Sequence, residues 1–447
     1  MFKKVLIANR GEIAVRIIRS CRALGISTVA VYSKADETSL HKILADESVC
    51  IGPAKAKDSY LDISRIISAA IKSGADAIHP GYGFLSENIE LANKCKEFNI
   101  KFIGPSPELI DNMGNKSNAR NTMIEAGVPV VPGTEEAILD VEKAMNIAND
   151  IGYPVIVKAA FGGGGKGMRI VESKNEFIEQ FNIAQREAES AFGNGTMYIE
   201  KYIRNPRHIE VQILGDQFGN VIHLGERDCS IQRKHQKMIE ESPSPAINEE
   251  LRNKIGAAAV RAAKAVGYEN AGTIEFLLDS NNDFYFMEMN TRIQVEHPVT
   301  EVVTGVDLIR EQIRIAAGLP LEYKQEDIKV QGHAIECRIN AEIPEKNFMP
   351  SPGKVESMHL PGGFGIRVDT ALYSGYVIPA VYDSMIAKVI VHGTSREEAI
   401  KKMRATLDEL VISGVETNIN FQYSIMNNEE YVSGNATTSF MDRLLDD

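Results

Sequence analysis

Residues 3–8 (KKVLIA), 12–24 (EIAVRIIRSCRAL) and 27–32 (STVAVY) set the fold class of the N-terminal part of this chain. The first and third segments are short apolar runs typical of buried strands, and the second repeats apolar residues at helical spacing. The same alternation continues in four further segments, at residues 63–72, 77–79, 89–98 and 101–103. Strands that alternate with helices predict a parallel sheet with helices on both faces.

The first turn between strand and helix reads Asn9-Arg10-Gly11-Glu12. It has one glycine where the dinucleotide fingerprint G-x-G-x-x-G needs three. We therefore expect a Rossmann-like N-terminal domain that binds neither NAD nor FAD. A stretch rich in turn residues at 104–116 places its boundary near residue 113, so the domain covers residues 1–113.

Two further regions follow. Residues 114–320 contain a glycine cluster and several segments that alternate polar and apolar residues with a period of two. Residues 330–447 contain short segments separated by glycine and proline, which predict antiparallel strands. A helix is expected at 395–410, where Ser395 and Glu398 have the spacing of a capping box. The whole chain is thus predicted to combine α/β and α+β architecture.

Composition narrows the function classes. The chain has 447 residues, of which 44% are hydrophobic and 25% charged, which is ordinary globular usage. Its net charge of −12 argues against a nucleic-acid-binding protein, which usually needs a basic face. The sequence lacks both a membrane-length apolar stretch and a signal-peptide core, so a cytoplasmic protein is expected. Its five dispersed cysteines suggest neither a disulfide framework nor a zinc site.

A glycine run at 162–167 (GGGGKG) follows the apolar strand predicted at 155–158. Glycines allow backbone N–H groups to approach phosphate oxygens closely. The run is not a Walker P-loop, because Ala160 stands where the first glycine is needed and Gly167 replaces the metal-binding Ser or Thr. Taken alone, it fits a phosphate lid and a plain linker equally.

Residues 288–296 (EMNTRIQVE) are the most informative segment for chemistry. If extended, they place Glu288, Asn290, Arg292, Gln294 and Glu296 on one face. Upstream, Glu275 is a lone carboxylate on an apolar strand. Buried carboxylates on neighbouring strands are costly unless they are paired or bind metal. We favour a Mg²⁺ site made from Glu275, Glu288 and Asn290, with a buried salt bridge as the alternative.

Two further polar segments accompany this one. Residues 208–212 (HIEVQ) alternate in the same way, and residues 232–237 (QRKHQK) form a cationic cluster suited to phosphate or a small anion. Cys229 lies beside Arg227, which could lower its pKa, but a structural thiol is the simpler interpretation.

Taken together, the motifs resemble those of the biotin carboxylase family within the ATP-grasp superfamily. The motifs that carry the resemblance are IANRGEIAVRIIR (7–19), HPGYGFLSEN (79–88), KAAFGGGGKGMR (158–169), YIEKYI (198–203), HIEVQ (208–212), ERDCSIQRKHQK (226–237), EMNTRIQVEHPVTE (288–301) and GHAIECRINAE (332–342). The resemblance implies an ATP-grasp domain at 114–320, with a mobile glycine-rich lid at about 130–203, and a C-terminal antiparallel domain at 330–447.

The resemblance also implies how ATP and metal are bound. Lys116 and Lys158 would hold phosphates. The nucleotide would be capped by Gly163, Gly164, Gly165 and Met168, with the adenine flanked by Glu200, Lys201 and Ile203. The ribose and phosphates would lie along His208, Gln232 and His235. Two Mg²⁺ or Mn²⁺ ions would be carried by Glu275, Glu288 and Asn290.

The implied reaction is ATP-dependent carboxylation of biotin by bicarbonate through carboxyphosphate. Bicarbonate would be held by Arg292, Lys237, Gln294 and the backbone of Val295. Glu296 would act as general base. Arg338 would stabilise the ureido oxyanion of biotin with the support of Asp383, and Tyr82 and Glu87 would border the biotin pocket. Water must be excluded, because free carboxyphosphate would decompose unproductively.

Two rival functions remain open on the sequence alone. Another ATP-grasp ligase would share the ATP residues but need a larger acid pocket than a bicarbonate clamp. A regulatory protein that has lost catalysis would have no reason to keep Lys237, Glu275, Glu288, Arg292 and Glu296.

The resemblance extends to partners. The chain has no Met-Lys-Met tripeptide, at which biotin is normally attached, so the carrier protein and the carboxyltransferase are expected to be other chains. We expect acetyl-CoA carboxylase in fatty acid synthesis, with a pyruvate or other acyl-CoA carboxylase as the alternative. A homodimer is expected from the family, with Arg19 at its interface.

Overall fold

The computed structural model describes residues 1–134, 136–160 and 167–446. The chain divides into two compact units. Unit 1 consists of Met1–Val128, Arg207–Phe276 and Glu288–Asp447, and unit 2 of Pro129–Pro206 and Leu277–Met287. Within the described part of the chain, there is no helix both long and apolar enough to cross a membrane.

Unit 1 begins with a parallel sheet in the order β3-β2-β1-β4-β5. The strands and helices of this region are β1 (Lys4–Ile7), α1 (Gly11–Ala23), β2 (Ser27–Ser33), α2 (Leu40–Leu44), β3 (Glu47–Gly52), α3 (Ile63–Ser73), β4 (Ala77–His79), α4 (Ile89–Glu97), β5 (Lys101–Phe102), α5 (Pro107–Gly114) and α6 (Lys116–Glu125). Apolar residues of β1, such as Val5 and Leu6, are fully buried. The predicted parallel α/β arrangement is confirmed.

Local signals explain where these helices start. The side chain of Asp62 accepts a hydrogen bond from the backbone of Arg65 at the start of α3. The 104–116 stretch, predicted as turns, instead contains α5. The side chain of Ser106 caps this helix, and Pro107 occupies its first turn, where a missing N–H costs nothing.

Unit 2 contains a three-stranded antiparallel sheet in the order β7-β6-β8. Its elements are α7 (Val141–Ile151), β6 (Val155–Ala159), β7 (Met168–Val171), α8 (Lys174–Phe192) and β8 (Met197–Lys201). Phe177 and Phe181 of α8 are fully buried with Val157 and Ile199 of the sheet. The glycines at 162–165 lie outside the described residues.

An eight-stranded sheet carries the remaining strands of interest, in the order β13-β12-β9-β10-β11-β14-β19-β18. The strands are β9 (Arg207–Gly215), β10 (Val221–Arg233), β11 (Gln236–Ser242), β12 (Asn270–Leu278), β13 (Phe284–Asn290), β14 (His333–Asn340), β18 (Ile366–Thr370) and β19 (Met385–Gly393). From β9 to β18, each strand pairs with its neighbour in antiparallel fashion, which confirms the predicted antiparallel architecture of the C-terminal region.

Helices and short strands complete unit 1. They are α9 (Glu249–Ala265), α10 (His297–Thr304), α11 (Leu308–Ala316), β15 (Glu342–Ile343), β16 (Met349–Pro350), β17 (Met358–His359), α12 (Arg396–Glu409), β20 (Val411–Ile412), α13 (Ile419–Asn427), α14 (Glu429–Val432) and α15 (Phe440–Asp446). Ser395 caps α12 as predicted, but Glu398 reaches back to the backbone of Thr394 instead of Ser395.

Candidate active site

The segment 288–296 is extended only at its start. Strand β13 ends at Asn290, and the chain then turns until α10 begins after Glu296, with Pro298 in the first turn of the helix. The prediction of one continuous strand face is therefore wrong beyond Asn290. The polar side chains still converge, because the turn brings them back toward Glu275.

The Lys237 ammonium holds three carboxylates together. Its Nζ lies 2.6 Å from Glu210 Oε2, 3.0 Å from Glu275 Oε1 and 2.7 Å from Glu296 Oε1. These contacts use all three of its N–H donors. Burial would lower the pKa of Lys237, but the surrounding carboxylates raise it well above its ordinary value. The lysine is therefore a fixed cation.

Arg292 is held by three side chains and by the carbonyl of Ile293. Its Nε lies 2.9 Å from Glu87 Oε2, one terminal nitrogen 2.7 Å from Gln294 Oε1, and the other 3.0 Å from Asn290 Oδ1. Gln294 in turn donates to Glu275 Oε1 at 3.0 Å. Lys237 and Gln294 thus share one oxygen of Glu275, and Arg292 is hydrogen-bonded to Gln294.

Glu296 lies between two cations. Its Oε1 contacts Lys237, and its Oε2 lies 2.9 Å from a terminal nitrogen of Arg338. Burial alone would raise the pKa of Glu296, but Lys237, Arg338 and Arg227 hold it well below its ordinary value. Glu296 is therefore ionised at neutral pH, which is the form a general base needs.

The predicted metal ligands lie among polar neighbours. Asn290 donates to Glu275 Oε1 at 2.9 Å, and His208 Nε2 lies 2.9 Å from Glu275 Oε2. Burial would raise the pKa of Glu275, but Lys237 and His208 lower it well below its usual range, so an anionic oxygen donor is present. Glu288 lies two residues before Asn290 on β13 and emerges on the same face. This oxygen-rich set fits a hard divalent cation. Glu275 also forms ion pairs with Lys237 and His208, as expected if it belongs to a buried salt bridge instead.

The predicted ribose and phosphate residues lie near one another along β9 and β10. Gln232 Nε2 lies 2.7 Å from His208 Nδ1. His235 is exposed in the two-residue turn between β10 and β11, where it and Lys234 both have positive φ, at 63° and 49°. Positive φ at both central residues is the geometry of a two-residue type I′ hairpin turn. Lys116 is the first residue of α6.

The unit 2 residues form their own set. Lys158 on β6 is ion-paired with Glu200 on β8. Lys201 donates to the carbonyls of Gly152 and Tyr153 at 2.9 and 3.2 Å. The first residue of β7, Met168, is 42% exposed, and Ile203 follows β8. Gly163, Gly164 and Gly165 lie outside the described residues.

Tyr82 and Glu87, predicted for the biotin pocket, and Val295, predicted for bicarbonate, each have a hydrogen-bond partner. Glu87 accepts from the backbone of Thr291 at 3.0 Å as well as from Arg292. Tyr82 donates its hydroxyl hydrogen to buried Glu12, which had not been predicted. Val295 accepts from Lys388 Nζ at 2.8 Å through its carbonyl.

Asp383 does not support Arg338 in this structure. It is exposed and accepts from the backbone of Met385 at 2.9 Å. Among the described residues, the ion-pair partners of Arg338 are Glu240, at 2.5 Å, and Glu296. Arg338 pairs with Glu240 because β14, which carries Arg338, is the neighbour of β11, which carries Glu240.

Sequence reasoning missed four residues of this cluster: Glu210, Arg227, Glu240 and Lys388. A signal existed for Glu210, which shares the strand face of His208 at period two. Arg227 is fully buried and hydrogen-bonds Glu210, Gln212, Thr273 and Thr300. Burial raises the pKa of Cys229 well above its ordinary value, which supports a structural thiol.

Three family profiles match successive parts of the chain. They describe the biotin carboxylase N-terminal domain at residues 1–110, the carbamoyl-phosphate synthase L chain ATP-binding domain at 115–324, and the biotin carboxylase C-terminal domain at 336–443.

Full-length relatives agree with the profiles. Biotin carboxylase 1 of Bacillus subtilis is 60% identical over 443 residues, covering 99% of this chain and 98% of that protein. A pyruvate carboxylase subunit of Methanothermobacter thermautotrophicus is 56% identical over 442 residues, covering 99% and 90%. Among solved structures, the bicarbonate-bound biotin carboxylase domain of a thermophilic 2-oxoglutarate carboxylase is 51% identical, with a TM-score of 0.95 and coverage of 99% and 98%. The chain therefore belongs to the biotin carboxylase family of ATP-grasp ligases.

Proposed function

We propose that this chain uses MgATP and bicarbonate to carboxylate biotin on a separate carrier protein, with ADP and phosphate as products. The observation that carries the proposal is the position of Glu296, a buried, ionised carboxylate held at 2.7 Å by Lys237 and at 2.9 Å by Arg338. A bicarbonate-sized anion held by Arg292 would lie beside a base of this kind. The ATP-dependent carboxylation half-reaction is the activity of the family.

Each residue has a distinct proposed task in forming carboxyphosphate. Arg292, Gln294 and the Val295 backbone hold bicarbonate, and Lys237 supplies a further positive charge. Glu296 takes the bicarbonate proton as a bicarbonate oxygen attacks the γ-phosphorus and ADP leaves. Water must be kept out while carboxyphosphate exists.

The second step transfers carbon dioxide to biotin. Carboxyphosphate breaks into CO₂ and phosphate, and the phosphate takes the N1′ proton of biotin as this nitrogen bonds to CO₂. Arg338 stabilises the negative charge that develops on the ureido oxygen. Tyr82 and Glu87 remain the proposed borders of the biotin pocket.

Nucleotide and metal binding are proposed residue by residue. Two bound Mg²⁺ or Mn²⁺ ions supply charge neutralisation for the transferring phosphoryl group, and Glu275, Glu288 and Asn290 would hold them. The proposed ATP contacts are Lys116, Lys158, Gly163, Gly164, Gly165, Met168, Glu200, Lys201, Ile203, His208, Gln232 and His235. The domain division 1–113, 114–320 and 330–447 is retained as part of this proposal.

The finer assignment concerns partners. We assign the chain to an acetyl-CoA carboxylase of fatty acid synthesis, supported by bacterial relatives of the same length that are named simply biotin carboxylase. The pyruvate carboxylase relative from Methanothermobacter keeps a pyruvate carboxylase as the second candidate. A homodimer with exposed Arg19 of α1 at its interface completes the assignment.

The test is transfer of radiolabelled bicarbonate to purified biotinylated carriers. The chain would be mixed with MgATP and the carrier of either an acetyl-CoA carboxylase or a pyruvate carboxylase. We expect label on the first carrier at a rate well above that on the second. The reverse preference would assign the chain to a pyruvate carboxylase, and label on neither would contradict the carrier-dependent function.

A further inference from the structure

Two buried carboxyl groups lie opposite each other next to Arg338. Glu240 on β11 is paired in register with Glu336 on β14, and both residues are 0% exposed. Directly opposed residues of antiparallel strands have Cβ atoms about 5 Å apart on one face of the sheet. Arg338, two residues after Glu336, emerges on the same face and is ion-paired with Glu240. Two like charges in this position would repel each other in a medium of low polarity.

Hydrogen bonding within the pair is incomplete if both groups are ionised. Among the described residues, neither oxygen of Glu336 has a hydrogen-bond partner, and Glu240 Oε2 also lacks one. A buried acceptor without a partner costs about 1–3 kcal/mol, and more when it is charged. One proton between the two carboxyl groups would create a donor and satisfy two of these oxygens at once.

The neighbouring cations are already committed to other groups. Arg338 donates to Glu240 and Glu296, and Lys237 to Glu210, Glu275 and Glu296. Lys388 is directed at the Val295 carbonyl and lies 3.3 Å from Glu12. Glu336 therefore gains only long-range attraction from these cations.

The full electrostatic surroundings of the pair include groups of both signs. The charged and titratable groups that interact with the pair are Lys237 on β11, Cys337 and Arg338 on β14, Lys388 on β19, Cys229 on β10, and Glu296 and Tyr82 on loops. Next to Lys388 lie Glu12 on α1, Arg367 and Asp369 on β18, and His297 on α10. Burial raises the pKa of Glu240 to about 7 despite Arg338, and raises that of Glu336 well above its ordinary value despite Lys388.

We propose that Glu240 and Glu336 share one proton in the folded enzyme, and that this singly charged pair positions the Arg338 guanidinium. With one proton, the pair presents a single negative charge to Arg338. A second negative charge there would pull the guanidinium away from Glu296 and weaken its field toward substrate. The proton belongs to the pair and not to one residue.

The first test compares the pH dependence of unfolding in the wild type and in Glu336→Gln. A group that keeps its proton in the folded state has a raised folded pKa, so its stabilisation is present at low pH and lost as pH rises through that pKa. The quantity compared is the ratio of the wild-type unfolding constant to that of Glu336→Gln. This ratio should rise about tenfold per pH unit between about pH 5.5 and the folded pKa of the pair. The control Glu356→Gln removes an exposed carboxyl and should run parallel to the wild type. A constant ratio between wild type and Glu336→Gln would overturn the shared proton.

Infrared spectroscopy of the wild-type protein tests the shared proton even if Glu336→Gln does not fold. The wild-type protein at neutral pH should show the carbonyl stretch of a protonated, solvent-shielded carboxyl group. Glu336→Gln should abolish this band, because Glu240 is then left as a single carboxylate ion-paired with Arg338. A wild-type spectrum without the band contradicts the proposal.

The positioning role, which rests on the proposed function, is tested by a double-mutant cycle on biotin carboxylation. Each single change, Glu240→Gln or Glu336→Gln, leaves one carboxyl group of the pair beside Arg338, whereas the double variant leaves Arg338 with Glu296 alone. We expect the double variant to be at least about tenfold slower than the product of the single effects. Effects that simply multiply would contradict the positioning role. A wild type that cannot carboxylate biotin would instead defeat the proposed function, while the unfolding and infrared results still decide the shared proton.

Discussion

At the scale of single residues, the site depends on charges that compensate one another in a buried place. Glu296 is fully buried, yet Lys237 and Arg338 each lie within 3 Å of one of its oxygens. An isolated buried carboxylate would be costly and would keep its proton. The two cations make an ionised base possible here, and the same cations are the ones proposed to act on bicarbonate and biotin.

Glu296→Gln tests the base directly. The amide keeps the shape of the side chain but cannot accept the bicarbonate proton. We expect bicarbonate-dependent turnover to fall by about 10²- to 10⁴-fold, the usual contribution of a general base. Steady-state ADP release would measure it, with Glu356→Gln as the exposed control. Turnover close to that of the wild type would remove Glu296 from this role.

Acid unfolding tests the ionised state of the same residues. The folded pKa values of Glu275 and Glu296 lie below the ordinary value of 4.5. As pH falls below this value, the unfolded chain binds protons that the folded chain does not. The stabilisation is therefore complete above about pH 5.5 and is lost as pH falls through the folded pKa values. We expect unfolding free energies, measured in denaturant at each pH, to decline less steeply in Glu296→Gln than in the wild type; equal slopes would contradict the lowered pKa of Glu296.

At the scale of elements, the turn between β13 and α10 is held from two sides. Glu87, just before α4, accepts from Thr291 and Arg292, and Lys388 of β19 donates to the Val295 carbonyl. Elements far apart in sequence thus fix the turn that carries the proposed bicarbonate ligands. Positioning of this kind matters because small displacements of reacting groups cost large factors in rate.

Glu87→Gln should loosen the first of these attachments. The side chain is partly exposed, so the loss of a charge-assisted hydrogen bond is moderated by solvent. We expect the bicarbonate KM to rise about five- to tenfold with little change in thermal midpoint. Glu90→Gln, an exposed change on α4, is the matched control. An unchanged KM would mean that Glu87 does not position Arg292.

Lys388→Met should loosen the second attachment and also leave Glu12 buried without its cation. Breaking a buried ion pair in this way costs about 3–5 kcal/mol. Lys388→Met should also raise the bicarbonate KM, because the Val295 carbonyl loses its donor. Adding Glu12→Gln should recover part of the free energy of unfolding, measured in urea, but should leave the bicarbonate KM raised. Recovery of both together would show that Lys388 acts only through stability.

At the scale of the whole molecule, sequence patterns predicted the elements better than the contacts among them. Periodicity placed α1 and α3 within about one or two residues of their observed ends. It failed at the turn after Asn290, because a period of two cannot show where a strand stops. Glu240 and Lys388 were missed for a different reason. They meet Arg338 and Val295 across 98 and 93 residues of sequence, and only the sheet order brings them together.

The net charge of the whole chain and the local charge of the proposed site also differ. The net charge of −12 predicts no general attraction for anions. The proposed site instead collects Arg227, Lys237, Arg292 and Arg338 in one place, where their effect on a small anion is local. Anion chemistry in this protein therefore depends on the arrangement of a few side chains and not on its overall composition.

The proposed carboxylation of biotin is best tested by ADP release from the purified chain with MgATP and bicarbonate, run with and without free biotin. We expect release that requires bicarbonate and is stimulated by biotin. We also expect Arg338→Ala to abolish the biotin stimulation while much of the ATP binding is retained. ADP release in the wild type that is indifferent both to free biotin and to a biotinylated carrier, or biotin stimulation that survives in Arg338→Ala, would contradict the proposed function.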